Sequence, residues 1–308
     1  MNNIKRSINK YDFDVLIIGG SYSGLSAAMA LGRSLRNVLI IDSGLPCNRQ
    51  TPHSHNFITH DGKTPEEIST LAKQQVENYE TVKFLKGRAI RGAATETGFQ
   101  IETQAGEIFD SKKVIFATGI KDLIPDIKGF AECWGISVVH CPYCHGYEIK
   151  NEITGILGNG DSAMHLAQLV SNLTRQLSIF TNGKATFSQD ELKQLAKHDI
   201  KVVETEIERI EHINGQVNDL ILKDGSSASL KALYARIPFV QHSDIPENLG
   251  CELTEQGFIK TDAMQQSTVN GVFVCGDNTT PMRSVANAVA AGNFAGAAVN
   301  SQLCQERF

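Results

Sequence analysis

The fold of this chain is decided near its N-terminus by residues 14–42, DVLIIGGSYSGLSAAMALGRSLRNVLIID. Asp14 to Ile18 has the length and apolar character of a buried strand, and a glycine turn follows it. Leu25 to Leu31 is a helical stretch of small and apolar residues, and Val38 to Ile41 is a second strand that ends in Asp42. The order strand, glycine turn, helix, strand and acidic residue predicts a dinucleotide-binding fold.

Each small residue of the turn has a part in binding a dinucleotide. Gly19 lets the chain turn sharply, and Gly24 lets the helix pack closely against the strand. Ser21 stands where the G-x-G-x-x-G pattern has its middle glycine, and its small side chain lets the backbone approach the pyrophosphate. The helix N-terminus offers free N–H groups to the phosphates, and Asp42 can accept hydrogen bonds from the adenosine ribose.

A second turn of the same kind lies far downstream, at residues 158–163, GNGDSA. The strand Gly155 to Leu157 precedes it, and Leu177 to Thr181 is the strand after the helix. The apolar face of that helix at helical spacing is Ala163, Leu166, Ala167, Val170 and Leu173. The G-x-G-x-x-A form is usual for a nicotinamide-type nucleotide, NADPH or NADH. The residues of this possible site are Gly158, Gly160, Ser162 and Ala163. Two dinucleotide folds in one chain suggest a two-domain flavin reductase.

The end of the second strand of this fold, Phe180 to Lys184, does not identify a nicotinamide. An NADPH site normally has arginines there to pair with the 2′-phosphate, and only Lys184 is near. No acidic residue stands at the strand end to hold the ribose of NADH. The sequence therefore predicts the nucleotide fold and leaves tight nicotinamide binding open.

Two further stretches complete a flavin site. The strand Val114 to Ala117 ends in the tight turn Thr118-Gly119, and a buried strand from Val272 ends in Asp277. A strand-end aspartate is well placed to bind hydroxyls of the ribityl chain. Met282 to Asn300 is predicted as a helix, and Arg283 and Ser284 at its N-terminus would place positive charge beside the flavin pyrimidine ring.

The chemistry of the chain is concentrated in residues 139–146, VHCPYCHG. Cys141 and Cys144, separated by two residues, can close a small disulfide ring or open to a reactive thiolate. A zinc site is an alternative, but no second Cys-x-x-Cys exists, and His140 and His145 adjoin the cysteines too closely to complete a tetrahedron. A buried structural pair is another. Cys-Pro-Tyr-Cys is also the glutaredoxin sequence. In that family the motif follows the first strand of a small domain, whereas here it lies mid-chain, just ahead of a nucleotide-binding turn, which argues against a glutaredoxin-like site. We expect no metal.

The chain resembles the low-molecular-weight thioredoxin reductases, class II of the pyridine nucleotide-disulfide oxidoreductases, from Asp12 to Val299. That family has a FAD domain split in sequence, and its inserted second domain carries the cysteine pair just ahead of the nucleotide turn. The segments CPYCHGYE (141–148) and HSHNFITHDG (53–62) are more similar to a subgroup that includes the dithiol oxidases of gliotoxin and holomycin biosynthesis.

The resemblance implies an α/β fold with two Rossmann-like (three-layer ββα) domains. The FAD domain would be residues 12–119 and 246–308, and the NAD(P)H-binding-like domain with the redox cysteines would be residues 120–245. Its FAD-binding residues would be Gly19, Ser21, Gly24, Asp42, Gln50, Asn56, Thr118, Gly119, Asp277, Arg283 and Ser284. A homodimer is expected from the resemblance as well.

The family pattern also implies catalytic roles. Cys144 would be the flavin-proximal thiol and Cys141 the thiol that exchanges with substrate. His145 stands where ordinary thioredoxin reductases have a proton-donating aspartate, and an imidazole can do acid–base work near neutral pH. His53, His55 and His60 could suggest a metal, but we interpret their segment as a flavin-side or substrate-side loop.

Composition narrows the partners and the compartment. The 308 residues carry a net charge of −5, which gives no reason to expect nucleic acid or an anionic membrane as a partner. The apolar runs are too short to span a bilayer, and Met1 to Tyr11 is polar, lacks the apolar stretch of a signal peptide and is predicted to be a flexible extension. An odd number of cysteines, seven, favours a reduced cytoplasm over a secreted disulfide framework.

Three functions are compatible with these features. The first is a reductase that passes electrons through flavin and Cys141/Cys144 to a thioredoxin-like protein or a small disulfide. The second is a thiol oxidase that runs from a dithiol through flavin to oxygen and makes hydrogen peroxide. The third is a flavin-binding redox sensor without turnover.

Overall fold

The computed structural model describes residues 13–308, and these form two compact units. The first unit comprises the described residues up to Arg49, with Glu66–Lys121 and Phe239–Phe308; the second comprises Gln50–Pro65 and Asp122–Pro238. The predicted N-terminal extension and Asp12, where the predicted first domain begins, lie outside the described residues. The segment Gln50–Pro65 falls within the predicted FAD domain and groups with the second unit here. The domain boundaries stay a prediction.

The strands, in chain order, are β1 (Phe13–Ile18), β2 (Val38–Asp42), β3 (Val82–Lys86), β4 (Ala89–Thr95), β5 (Gly98–Thr103), β6 (Ile108–Phe116), β7 (Ile120–Asp122), β8 (Val138–Val139), β9 (Thr154–Leu157), β10 (Leu177–Phe180), β11 (Lys201–Val203), β12 (Ile207–Ile213), β13 (Gln216–Leu222), β14 (Ser227–Ser229), β15 (Ala232–Ala235), β16 (Phe239–Gln241) and β17 (Val272–Val274). The helices are α1 (Tyr22–Arg33), α2 (Pro65–Glu77), α3 (Phe130–Cys133), α4 (Pro142–His145), α5 (Gly160–Val170), α6 (Gln189–Lys197), α7 (Ile245–Asn248) and α8 (Val285–Arg307). Within residues 13–308, no helix is both long and apolar enough to cross a membrane.

The main sheet of the first unit has the order β3-β2-β1-β6-β5-β4, and β17 also pairs with β6. Strands β1, β2, β3, β6 and β17 run parallel, with Ile17 opposite Ile40 on one side and Ile115 on the other. Because successive side chains of a strand point to opposite faces, Val15 and Ile17 enter one apolar cluster and Leu16 and Ile18 another. The sheet is therefore buried on both faces, as a parallel sheet requires.

Helices α1 and α8 pack closely on one face of this sheet through small residues. A Cβ atom on Gly292 would overlap the carbonyl oxygen of Ser23, and one on Gly296 would lie 2.6 Å from the carbonyl oxygen of Ala27. The helix predicted from Met282 begins at Val285 instead. Ser284 is its N-cap, and the Ser284 hydroxyl accepts a hydrogen bond from the Asn287 N–H at 3.1 Å.

The second unit has a parallel sheet of order β11-β10-β9-β15-β8 and an antiparallel sheet of order β12-β13-β14. The predicted face of α5 is buried from Ala163 to Val170. Leu173 does not belong to it, because α5 ends at Val170 and the chain then turns towards β10. The predicted return linker, residues 241–248, contains the end of β16 and all of α7.

Candidate active site

The glycine turn of the first unit has no room for larger residues. Gly19 has φ +106°, which favours glycine, and a Cβ atom there would overlap the carbonyl oxygen of Ala117. A Cβ atom on Gly24 would overlap the carbonyl oxygen of Gly19. Ser21 is the N-cap of α1 in an extended conformation. The turn therefore brings the first amides of α1 to the carboxyl end of β1, where a dinucleotide pyrophosphate is expected to bind.

Asp42 lies at the end of β2, beside this turn. Its carboxylate accepts hydrogen bonds from the Gly20 N–H at 2.9 Å and the Gly44 N–H at 3.2 Å. It borders a pocket of about 170 Å³. The pocket is lined by Gly20, Asp42, Gly44, Lys73, Phe84, Leu85 and Lys86. No sequence motif marks Lys73, Phe84 or Lys86. The pairing of β2 with β3 brings Phe84 and Lys86 to the pocket, and α2 supplies Lys73.

The other predicted flavin residues of the first unit gather at the ends of β6 and β17. The Arg283 Nε atom lies 3.6 Å from the Asp277 carboxylate, and both side chains are largely buried. Asn278, which sequence reasoning missed, is fully buried and donates hydrogen bonds from Nδ2 to the Phe116 carbonyl oxygen at 3.1 Å and the Thr118 hydroxyl at 3.3 Å. Gly119 follows Thr118 with φ +64°.

This region has buried acceptors that suit a flavin. The side-chain oxygens of Asn278 and Gln241 are buried and have no hydrogen-bond partner among residues 13–308. The two residues are neighbours, since Gln241 Nε2 donates to the Asn278 carbonyl oxygen at 3.1 Å. A flavin carries a ring N–H and ribityl hydroxyls, which are donors for such acceptors. The first unit therefore fits a flavin.

The cysteine pair lies in the second unit, at the short helix α4. Cys141 and Cys144 are joined by a disulfide, with Cα atoms 5.3 Å apart. Cys141 is the N-cap, and its sulfur accepts a hydrogen bond from the Cys144 N–H at 3.2 Å. Pro142 at the first helical position supports this turn, because its fixed φ suits a helix start. Both cysteines are partly exposed and therefore accessible to a small thiol.

His145 follows Cys144 directly and is half-buried. Burial, and to a smaller extent the charge of His55, lowers the pKa of His145 from the ordinary 6.5 to about 4. At neutral pH the ring is consequently uncharged, and the lowered pKa also makes it a weak proton acceptor. It cannot serve as an imidazolium donor at that pH, which narrows the acid–base role predicted from the sequence.

The segment with Gln50 and Asn56 groups with the cysteine pair and not with the first unit. Asn56 has φ +59°, and its N–H donates to the Asp61 carboxylate at 2.7 Å. The assignment of Gln50 and Asn56 to the flavin stays a prediction. In the described part of the chain, no group of three or more His, Cys, Asp and Glu side chains is arranged to hold a metal ion.

The second glycine turn is hydrogen-bonded to a loop of the same chain, residues 181–186. The Asn159 side-chain oxygen accepts hydrogen bonds from the Gly160 N–H at 3.0 Å, the Thr186 N–H at 2.9 Å and the Thr186 hydroxyl at 3.0 Å. Asn159 Nδ2 donates to the Lys184 carbonyl oxygen at 2.8 Å. The Ala185 N–H donates to the Glu204 carboxylate at 2.7 Å.

With these hydrogen bonds in place, the second glycine turn does not suit the binding of a nicotinamide dinucleotide. The pyrophosphate would need the first amides of α5, and the Gly160 amide already donates to Asn159. The loop leaves β10 where the adenosine ribose is expected, and Glu204 there would repel a 2′-phosphate. Of the other predicted residues, Ser162 lies in the first turn of α5, and Ala163 is buried beside Gly158.

The family model for pyridine nucleotide-disulphide oxidoreductases matches residues 13–292. The chain belongs to this family. It is 32% identical to thioredoxin reductase tcpT of Claviceps purpurea over 303 residues, which cover 94% of each chain. It shares 38% identity and a TM-score of 0.90 with the crystal structure of an oxidoreductase from Agrobacterium tumefaciens, covering 96% of this chain and 99% of the other. A putative thioredoxin reductase TrxB from Bacillus anthracis is 30% identical, with a TM-score of 0.91 over 96% of this chain and all of the other.

The chain is accordingly a thiol–disulfide oxidoreductase of the thioredoxin reductase type, and it acts on sulfur groups. The resemblance drawn from the sequence and the predicted two-domain Rossmann-type fold are confirmed. Pyridine nucleotide-disulphide oxidoreductases generally use a flavin and a nicotinamide. This member of the family has buried acceptors that suit the first of these groups, and at its second glycine turn Asn159 is hydrogen-bonded to Lys184 and Thr186 of its own chain.

Proposed function

We propose that this oxidoreductase is a FAD-dependent dithiol oxidase. It would oxidise a small dithiol to a disulfide through Cys141 and Cys144 and pass two electrons through FAD to O₂, with H₂O₂ as the second product. The observation that carries this direction is the loop 181–186, hydrogen-bonded to Asn159 across the second glycine turn. A reductase that uses NADPH or NADH must bind the nucleotide at that turn, whereas an oxidase needs no nucleotide there.

The cysteine pair supplies the exchange chemistry. The substrate thiolate attacks one sulfur of the Cys141–Cys144 bond, forming a mixed disulfide with Cys141 and releasing the Cys144 thiolate. The second substrate thiolate then attacks the substrate sulfur that is bonded to Cys141, which closes the product disulfide and releases the Cys141 thiolate. His145, which follows Cys144, is the side chain that we propose to pass a proton from the substrate thiol to solvent.

FAD is the flavin we propose, because the first glycine turn and Asp42 form a site for the adenosine half of a dinucleotide. Gly19, Ser21 and Gly24 would hold the pyrophosphate, and Asp42 the ribose. Thr118, Gly119, Asp277, Asn278 and Arg283 would surround the ribityl chain and ring. When bound, FAD would supply two-electron transfer between the reduced cysteine pair and oxygen.

A disulfide reductase is the second candidate, and the relatives named as thioredoxin reductases favour it. Its substrate would be a thioredoxin-like protein or a small disulfide, and its donor NADPH or NADH. For either function we propose a cytoplasmic homodimer, which the family resemblance and the cysteine usage support.

Anaerobic bleaching of the flavin absorbance tests this proposal. NADPH, NADH and dithiothreitol are added in turn to the purified yellow protein, and peroxide is measured after air is admitted. We expect bleaching by dithiothreitol alone and one peroxide for each flavin reoxidised. Rapid bleaching by NADPH or NADH would instead make the disulfide reductase correct. Cys304→Ser, which removes an exposed cysteine outside the pair, is a matched control and should behave like the natural protein.

A further inference from the structure

The pocket beside Asp42 is built by strand pairing within the first unit. In the parallel register, Asp42 of β2 lies opposite Lys86 of β3. Phe84 comes two residues before Lys86 and therefore lies on the same face of the sheet. Lys73, from α2, lines the same pocket. A carboxylate, an aromatic ring and two ammonium groups thus share a pocket of about 170 Å³.

Lys73 is held at this pocket by two contacts within the first unit. Its Nζ atom lies 5.1 Å from the centre of the Phe84 ring and 3.8 Å from the Glu77 carboxylate, one helical turn further along α2. Phe84 is itself fixed, because it packs on the apolar cluster that includes Ile40. The side chain of Lys73 is 52% exposed, so solvent weakens both contacts and leaves the ammonium able to donate hydrogen bonds to a ligand.

We propose that Lys73 and Phe84 bind the adenine of FAD, and that Lys73 is the residue that makes this protein select FAD over the mononucleotide FMN. This inference rests on the FAD assignment of the proposed function. The Phe84 ring offers an apolar surface against which a base can stack. The Lys73 ammonium has only N–H donors, and adenine carries ring nitrogens that accept hydrogen bonds. FMN has no adenosine and can make neither contact.

A phosphate group is the other ligand that two lysines could bind, and the pocket disfavours it. The Asp42 carboxylate borders the same pocket and would repel a phosphate. Asp42 is fixed there by hydrogen bonds from the Gly20 N–H at 2.9 Å and the Gly44 N–H at 3.2 Å. Adenine is uncharged, so Asp42 does not oppose it, and the attached ribose has hydroxyls for the carboxylate. The lysines also offset the charge of Asp42, which would otherwise oppose a pyrophosphate at the adjoining turn.

The test measures which flavin the full-length protein retains, in the natural protein, Lys73→Met and two control variants. The purified yellow protein is equilibrated with FAD and FMN in varied proportions, and the bound flavins are released and separated by chromatography. We expect the natural protein to hold mainly FAD. Lys73→Met should lower the ratio of bound FAD to bound FMN about tenfold or more, because it loses a hydrogen bond from a charged donor. The binding of FMN alone should stay unchanged in this variant.

The two controls separate adenine binding from support of the local structure. Lys83→Met removes the same charge from β3, but Lys83 adjoins Phe84 in the strand and therefore points to the other face of the sheet. Glu77→Gln breaks the ion pair with Lys73 and keeps the ammonium. Neither control should change the ratio of bound FAD to bound FMN by more than about twofold, because exposed charges contribute little to stability.

An unchanged ratio in Lys73→Met would overturn the inference. An equal fall in Lys73→Met and Glu77→Gln would overturn it as well, since the ion pair would then only support α2. Equal loss of FAD and FMN from Lys73→Met would show a general disturbance of the flavin site, with the same consequence. A natural protein that holds FMN as well as FAD would overturn the FAD assignment along with the inference. Failure of the dithiol oxidase proposal would appear separately, as flavin bleaching by NADPH or NADH in the natural protein.

Discussion

Replacing Asn159 with alanine should loosen the loop 181–186, which is hydrogen-bonded to the second glycine turn. The change removes three hydrogen bonds between turn and loop: two from Thr186 to the Asn159 oxygen and one from Asn159 Nδ2 to the Lys184 carbonyl oxygen. All three are exposed to solvent, so each contributes only about 0.5–1 kcal/mol. Their loss amounts to about 1.5–3 kcal/mol, which shifts the equilibrium between closed and open loop by roughly 10- to 150-fold.

A dinucleotide that binds only the open loop gains apparent affinity by up to the same factor. The Glu204 carboxylate remains beside the loop, where it would repel a 2′-phosphate, so NADH should gain more than NADPH. The assay is equilibrium binding of NADH and NADPH to the anaerobic flavoprotein, together with the rate of flavin bleaching. We expect the natural protein to bind both weakly and Asn159→Ala to bind NADH at least tenfold more tightly.

Ser188→Ala is the matched control for this change. Ser188 caps α6 with a comparable side-chain-to-backbone bond, to the Glu191 N–H, and does not contact the turn. Each variant should lose about 1 kcal/mol of stability through its lost cap, so a gain in nucleotide binding confined to Asn159→Ala isolates the loop effect. Bleaching of the natural protein by NADH as fast as that of the variant, or NADH binding no tighter in the variant, would show that these hydrogen bonds do not limit nucleotide binding.

Four further predictions concern the cysteines, the first glycine turn and His145. Cys144→Ser should abolish dithiol-driven bleaching of the flavin while the protein stays yellow, and retained turnover in that variant would contradict the role of the pair. Gly24→Ala should lower the flavin-to-protein absorbance ratio and the melting temperature, because the new Cβ overlaps the Gly19 carbonyl oxygen. Because the pKa of His145 is about 4 in the folded chain and 6.5 in the unfolded chain, the free energy of unfolding should fall as the pH drops from 6.5 towards 4. In urea unfolding at pH 7 and pH 4.5, His145→Gln should lose less of this free energy than the natural protein does. Thiol labelling of the folded, reduced protein should be fast at the pair and the two exposed cysteines and slow, until unfolding, at three buried ones, because burial raises their pKa values. The slow cysteines are Cys133, Cys251 and Cys275.

Much of the fold could be predicted because its decisive constraints are local. Gly24 must lack a Cβ atom because the carbonyl oxygen of Gly19, only five residues away, fills that space. The disulfide at α4 depends on one helical turn, in which Cys141 caps the amide of Cys144. Strand β1 can be predicted without knowing its neighbouring strands, because a short, nearly continuous apolar run is typical of a strand that is buried on both faces of a parallel sheet. Because these constraints involve residues that are close together in the chain, the sequence alone is enough to predict them.

Local residue patterns were enough to predict two dinucleotide folds, the cysteine pair at Cys141 and Cys144, and the family. Long-range folding places buried acceptors near the predicted flavin residues, groups segment 50–65 with the cysteines, and gives the second glycine turn its hydrogen-bond partners. Asn278 bonds to the carbonyl oxygen of Phe116, 162 residues away, and Asn159 bonds to Thr186, 27 residues away. The presence of an asparagine at position 159 does not show whether its side-chain amide contacts a nucleotide or a loop of its own chain. The hydrogen bonds that favour contact with the loop come from residues 184 and 186, which only folding brings next to Asn159. Sequence periodicity and motif spacing therefore cannot predict this contact.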